Sequence, residues 1–458
     1  MPRIRVTRPG GTSMSKWRVR VFALTVAAVV AAAVPAAAGT PPQHHTAQHY
    51  TGQLSDGASW TADVPGSWNG TIILYSHGYG PLTPQDAPDQ ATANALLDNG
   101  YALVGSSYSG PSWWALAAAV RDQFGALDAI ERQTGAPSRT IAWGTSMGGL
   151  VSALETERDR VDGTLTTCGL VAGALNLNQY QLNGEYALAH LLAPEQSIPL
   201  VRYPNQDAAG AAATLLTSVV GTAQANAAGR ARIALGAALM NEPTWSSGPT
   251  PPAATDYPAQ EAQQEQELTS FVLNFIMTGR YQIELAAGGN SAHTVGVDYR
   301  ALLNSSSQAG EVLALYRQAG LDLNADLARL TRDANITPDP YAVATLAHTS
   351  MPTGRLHAPE LDIHTIADQL VPVGQENWYG RLVQTPNLFR QAYVDTTGHC
   401  AFQPSETIAA LHALEHRIAT GRWDVDPSRL NAAAAALGQP GRYFRFTPPV
   451  LTGGLGRG

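Results

Sequence analysis

Between Gly144 and Gly149 the chain reads Gly-Thr-Ser-Met-Gly-Gly. A serine hydroxyl is a poor nucleophile near neutral pH and needs a base beside it. A serine exposed on a tight strand-to-helix turn needs small neighbours, because the surrounding backbone comes close. Both conditions are met on paper. Residues 139–143, "RTIAW", have the apolar pattern of a buried strand, and a helical pattern runs from Gly148 to about Arg158. A G-x-S-x-G match alone means little in a chain with 43 glycines; the strand before it and the helix after it make Ser146 the expected nucleophile. A helix N-terminus behind the serine favours negative charge developing there.

On such a turn the partners follow in the order serine, acid, histidine. "TIADQLVP" puts Asp368 just past a strand pattern at 361–366, and "DTTGHCAF" puts His399 in a loop after the last strand pattern at 390–394. Asp362 and Asp395 are the rival acids. Asp362 falls inside its strand, and Asp395 is too close along the chain to reach the far side of the imidazole. Asp368 is therefore the expected acid. His399 is the expected base, against the plainer reading of a surface histidine. Acyl transfer also needs two N–H donors for the oxyanion. Met147, directly after the serine, is one, and Tyr79 in "SHGYG" is the other, with His77 supporting that loop. Tyr108, Trp113 and Trp114 follow a strand pattern at 101–106; they either wall the substrate or pack the next helix.

These residues need a scaffold that brings distant segments to one edge. Apolar strand patterns at 71–75, 101–106, 139–143 and 163–167 alternate with helical ones, including an i, i+3, i+4 stripe from Ala117 through Val120, Phe124 and Leu127 to Ile130. This rhythm indicates βαβ units and a mostly parallel sheet covered by helices on both faces. It stops near residue 171 and returns at 360–366. The intervening stretch, to 348, is rich in Ala, Gln and Asn and looks helical, with Leu268, Phe271, Val272, Phe275 and Ile276 on one apolar face. The tail from 421 looks irregular.

The motifs in their order resemble the α/β-hydrolase superfamily, over about residues 66–169 and 359–421. "WGTSMGG" is similar to the elbow of cutinases and related polyester hydrolases. "GHC" is similar to tannases and feruloyl esterases, where the cysteine after the histidine bridges to one just before the serine. Here Thr145 holds that second position, so the resemblance implies a Cys168–Cys400 bridge pinning the His399 loop, the alternative being two buried thiols. It also implies that residues 171–348 form a helical cap inserted after the strand that follows the nucleophile helix. The core would then be residues 39–170 and 349–458. The implied activity is that of a secreted serine esterase acting on a small or polymeric ester. A serine peptidase of aminopeptidase type is the second reading. It asks for cap carboxylates, and the candidates are Glu261, Glu265 and Glu267, the first two read as a solvated helix face. A fold kept only for binding is the third.

The rest is exclusion. Residues 1–38 combine a basic start, an apolar run of 14 residues and Ala36-Ala37-Ala38, the pattern of an export signal cleaved after Ala38 rather than of a membrane span. That leader holds six of the 28 basic and none of the 36 acidic residues. The remainder carries 22 basic against 36 acidic residues, a formal charge of −14 that disfavours nucleic acid. Lys16 is the only lysine, which excludes Schiff-base and Ser-Lys chemistry beyond the leader. No phosphate loop, dinucleotide fingerprint or zinc spacing occurs, so no cofactor or metal is expected. His44, His45 and His49 read as a polar tail rather than a metal site.

Overall fold

The computed structural model describes residues 47–455. The leader, its cleavage point, His44 and His45 lie outside them. His49 lies inside, and in a strand rather than a tail. Strand β1 (Gln48–Gln53) pairs antiparallel with β2 (Ser59–Val64), and His49 Nδ1 sits 2.8 Å from Asp63 Oδ1.

The alternating segment follows as β3 (Thr71–Ser76), α1 (Gln90–Asp98), β4 (Ala102–Ser106), α2 (Leu116–Thr134), β5 (Arg139–Thr145), α3 (Met147–Thr156) and β6 (Gly163–Thr167). Nine α-helices then separate β6 from β7. They are α4 (Gly173–Leu192), α5 (Gln206–Ala223), α6 (Ala227–Met240), α7 (Tyr257–Glu267), α8 (Leu273–Ala287), α9 (Tyr299–Ser305), α10 (Ala309–Ala319), α11 (Leu323–Arg332) and α12 (Pro340–Thr349). The chain closes with β7 (Glu360–Ala367), α13 (Gly374–Leu382), β8 (Phe389–Thr397), α14 (Pro404–Thr420), α15 (Pro427–Ala436) and β9 (Tyr443–Phe444).

The strands form one sheet in the order β1-β2-β4-β3-β5-β6-β7-β8-β9. β3 to β8 run parallel, while β1, β2 and β9 join antiparallel. Period-2 alternation divides each central strand between two helix layers. Ile73 and Tyr75 face α1 and α14 together with Trp143 and Ile363; Ile72 and Leu74 face Phe124, Leu127 and Ile130 of α2. Both faces are apolar because both are covered, which is why β3 is buried at every position. Strand order, the antiparallel β2 and the turn between β5 and α3 make this the α/β-hydrolase fold.

The helical segment between β6 and β7 runs from Gly173 to Thr349. Its α7 and α8 form one run interrupted by a π turn at Leu268–Val272. Leu268, Val272 and Ile276 are buried as the stripe implies, but Phe271 is 46% exposed. The tail is more ordered than expected. The alanine patch is α15, and β9 adds a strand beside β8 through Tyr443 and Phe444. Among the described residues no helix is long and apolar enough to cross a membrane.

The insertion also buries acids. Glu261 is buried, not solvated as its helix-face spacing suggests, and Glu311 on α10 has neither carboxylate oxygen hydrogen-bonded. Burial pushes Glu311 up to about 8 and Glu261 to about 7. The folded chain therefore holds more protons than the unfolded one between about pH 4.5 and 8, so stability falls as pH rises through that window. His77, lowered by burial, opposes this only up to its ordinary value. Thermal melts should show Tm highest near pH 5 and declining toward pH 8.5, with a shallower decline in Glu311→Gln. A Tm that rises over this range would contradict the assignment.

Candidate active site

Ser146 stands at φ 60°, ψ −121° between β5 and α3, a left-handed conformation that a residue with a Cβ adopts only under constraint. The constraint comes from its neighbours. A Cβ at position 144 would lie 1.8 Å from the Gly148 carbonyl oxygen, and one at 148 would lie 1.9 Å from the Ser76 carbonyl oxygen. No side chain fits at either glycine. The Ser146 N–H donates to the Thr167 carbonyl (3.0 Å) and the Leu170 N–H to the Ser146 carbonyl (3.1 Å), so the turn is tied to the end of β6.

His399 Nε2 lies 2.8 Å from Ser146 Oγ, and His399 Nδ1 lies 2.8 Å from Asp368 Oδ2 and 3.0 Å from Oδ1. The three residues come from the ends of three different segments on the carboxyl edge of the sheet. Asp368 is fixed in turn, because its Oδ1 accepts the N–H groups of Leu370 (2.9 Å) and Val371 (2.8 Å). Burial alone would raise the Asp368 carboxyl. The neighbouring His399 and His364 and the Val371 N–H outweigh it and hold the group below its ordinary value. Asp362 is buried within β7 and accepts from Thr166, and Asp395 lies in β8; neither is bonded to His399. The His399 loop is secured by a disulfide between Cys168 and Cys400, both of which also have positive φ. It spans 232 residues and limits the unfolded chain by about 5 kcal/mol on the chain-entropy account.

Above the serine, the Tyr79 and Met147 backbone N–H groups have no acceptor among the described residues. A Cβ at Gly78 would touch Ser146 Cβ at 3.4 Å, so this loop runs directly over the hydroxyl. Below the loop lies a buried polar bracket. Gln123 Nε2 donates to the Tyr75 carbonyl and Ser76 Oγ (both 2.6 Å), and its Oε1 accepts the Ser106 N–H (2.7 Å). Ser76 Oγ meets Glu155, whose carboxyl burial drives far above its ordinary value.

The three aromatic candidates separate. Tyr108 is 1% exposed, stacks on His77 at 4.2 Å and donates its hydroxyl to the His77 carbonyl. It supports the Tyr79 loop from beneath and does not line the cavity. Trp113 is 41% exposed and meets Tyr79 edge-on at 5.8 Å, outside the cavity wall. Trp114 does line the cavity, with Tyr79, Ser146 and His399. That cavity measures about 50 Å³ and is also lined by Leu177 and Gln181 of α4 and by Phe275, Ile276, Gly279 and Ile283 of α8.

Residues missed at the sequence level are therefore those of the insertion, Leu170, Leu370 and Val371 of the cavity wall, and His364. This buried histidine in β7 has Nδ1 3.0 Å from Glu376 Oε1 and Nε2 3.7 Å from Asp368 Oδ2. Burial would lower it, and Glu376 raises it overall. Its place inside an apolar strand hid it.

No family model matches the chain. Among curated proteins, an o-phthalyl amidase from Xanthobacter agilis is 29% identical over 417 residues, which is 84% of this chain and 90% of the relative. Among solved structures, an acylaminoacyl peptidase from Pyrococcus horikoshii matches 85% of this chain at 10% identity and a TM-score of 0.39. The match spans only 44% of that peptidase, so this chain corresponds to less than half its length. Feruloyl esterase B from Aspergillus oryzae matches at 13% identity over 81% of each chain, with a TM-score of 0.39.

Proposed function

We propose that this chain is an exported serine hydrolase that cleaves compact carboxylic esters through an acyl-enzyme. The observation that carries the reading is the hydrogen-bonded line from Ser146 Oγ through His399 to Asp368 at the floor of an apolar cavity. Ser146 Oγ attacks the acyl carbon while its proton passes to His399 Nε2. The oxyanion is held by the N–H groups of Met147 and Tyr79. His399 then returns the proton to the departing alcohol oxygen. Water attacks the acyl-enzyme, gives a proton to Nε2, and the acid leaves as that proton goes back to Ser146. Asp368 holds Nδ1–H and stabilises the imidazolium. The helices of residues 171–348 act as the cap, with α4 and α8 excluding water from the acyl group. The disulfide is consistent with export, since such bonds persist in oxidising compartments.

The amide bond is the second reading, favoured by the relative whose printed name is an amidase. Its chemistry differs only in the atom that takes the proton from His399. An aminopeptidase reading has less support. A substrate ammonium would need a carboxylate at the cavity wall, and the lining residues include none; Glu261 is buried elsewhere and accepts from Gln224.

The deciding experiment sets 4-nitrophenyl esters of rising chain length beside the matching 4-nitroanilides, after stoichiometric titration with an aryl phosphonate. The expected result is one phosphonyl group on Ser146 and faster turnover of short esters. Faster anilide turnover moves the assignment to amides. A phosphonate that labels some other residue removes the reading.

A further inference from the structure

Helix α4 carries five buried amide side chains: Asn176, Asn178, Gln179, Gln181 and Asn183. Four make hydrogen bonds. Asn176 Nδ2 donates to the Ala172 carbonyl, Asn178 Nδ2 to Ser291 Oγ, and Gln179 Nε2 to both Asn183 Oδ1 and the His293 carbonyl. Gln181 is the exception. It is 7% exposed, its carboxamide makes no hydrogen bond to another described residue, and its polar atoms are not among those fully shut off from solvent. The fully enclosed orphan atoms on this helix are Asn178 Oδ1 and Asn183 Nδ2; the Gln181 carboxamide instead keeps surface open to the cavity, free to bond whatever enters it. Gln181 is also not sealed into packing. It lies four residues after Leu177, on the same face of α4, and both side chains line the cavity that holds Ser146 and His399. Apart from those two residues and the Tyr79 hydroxyl, the wall is otherwise Leu, Ile, Val, Phe, Trp and Gly.

We propose, building on the reading of the site as an acyl hydrolase, that Gln181 is its specificity-determining residue. The substrate then carries a neutral hydrogen-bonding group, a carbonyl above all, on its acyl part. The carboxamide offers two N–H donors and one acceptor. A ligand carbonyl would satisfy it and accept from it without bringing charge into the cavity. A carboxylate would have to shed its water with no cation at the wall to receive it. A purely aliphatic acyl group would cover the amide and offer it no partner.

Three esters separate these cases. 4-Nitrophenyl 4-oxopentanoate carries the carbonyl, the 4-nitrophenyl monoester of succinic acid replaces its methyl ketone by a carboxylate of the same shape, and 4-nitrophenyl pentanoate carries neither. Spontaneous hydrolysis is subtracted using Ser146→Ala protein. The native chain should favour the oxopentanoate over the pentanoate in kcat/KM, and Gln181→Met, matched in volume, should shrink that ratio ~10- to 100-fold. Because the ratio is taken within one preparation, partial misfolding cancels. Gln181→Glu, matched in shape, gives a second reading and should lower the ratio of succinate monoester to pentanoate further still. Equal oxopentanoate-to-pentanoate ratios in native and Gln181→Met protein would overturn the proposal while leaving the hydrolase reading intact. A native preference for the succinate monoester would overturn its neutral-group part. Failure of all three esters to show Ser146-dependent cleavage would remove the hydrolase reading, and this proposal with it.

Discussion

Ser146→Ala is expected to fold normally and to lose about 10⁴- to 10⁶-fold in kcat on any substrate the native chain turns over. The loss is large because nothing nearby can replace the hydroxyl: His399 Nε2 has it 2.8 Å away, and Thr145, the next hydroxyl along the chain, points instead to Thr167 at 2.7 Å. Folding should survive, since the constraints on position 146 are backbone ones, made by its N–H and carbonyl and by the two glycines. Alanine keeps the unfavourable φ of 60°, whereas Ser146→Gly relieves it. The glycine variant should therefore be equally inactive but more stable than the alanine variant, by about 1 kcal/mol. Kinetics and thermal melts on the two variants check both halves. Residual activity above one-hundredth of native would mean that the nucleophile lies elsewhere.

Asp368→Asn is expected to cost about 10⁴-fold at neutral pH. The substitution preserves shape, and the carboxamide oxygen can still accept from Leu370 and Val371 in place of Oδ1. What changes is the other arm. An NH₂ now faces His399 Nδ1, and two donors cannot bond. The imidazole takes the tautomer with its proton on Nε2, pointing at Ser146, and ceases to be a base. Asp362 and Asp395 cannot take over, since the former is buried with Thr166 inside β7 and the latter sits in β8. Measuring kcat/KM for Asp368→Asn beside Asp395→Asn discriminates. The Asp395 variant should stay within threefold of native, and a large loss there with little loss at Asp368 would reverse the assignment of the acid.

The central strands and the turn that carries Ser146 were legible because their signals are local. A strand buried on both faces is a continuous apolar run, as in "TIILY", and an elbow needs its glycines within two residues of the serine. Chain order, which the topology enforces, singled out His399 and Asp368 as candidates, and the structure sets them in one hydrogen-bonded line with Ser146. The failures have a common physical cause: burial set by partners distant in sequence. β1 lies at the sheet edge and most of its residues are exposed or half-exposed, so His49 reads as part of a tail. Tyr108 carries the right residue type at the right edge, but its ring turns inward onto His77. Glu261 sits on a helix that looks solvated until α10 and the Gln224 side chain cover it. Gln181 gave no signal of its own; only the density of amides along "NLNQYQLN" marks α4 as unusual, and nothing local says which of them faces the cavity.

The disulfide has a consequence for a cut chain. The insertion lies wholly inside the loop that Cys168 and Cys400 close. The exposed Ser-Gly-Pro turn near residues 247–250, between α6 and α7, is the kind of segment that proteases nick. A single cut there would not free two pieces. Both fragments would remain one covalent molecule, with His399 still leashed beside the strand end that holds Ser146, and they would part on a gel only after reduction.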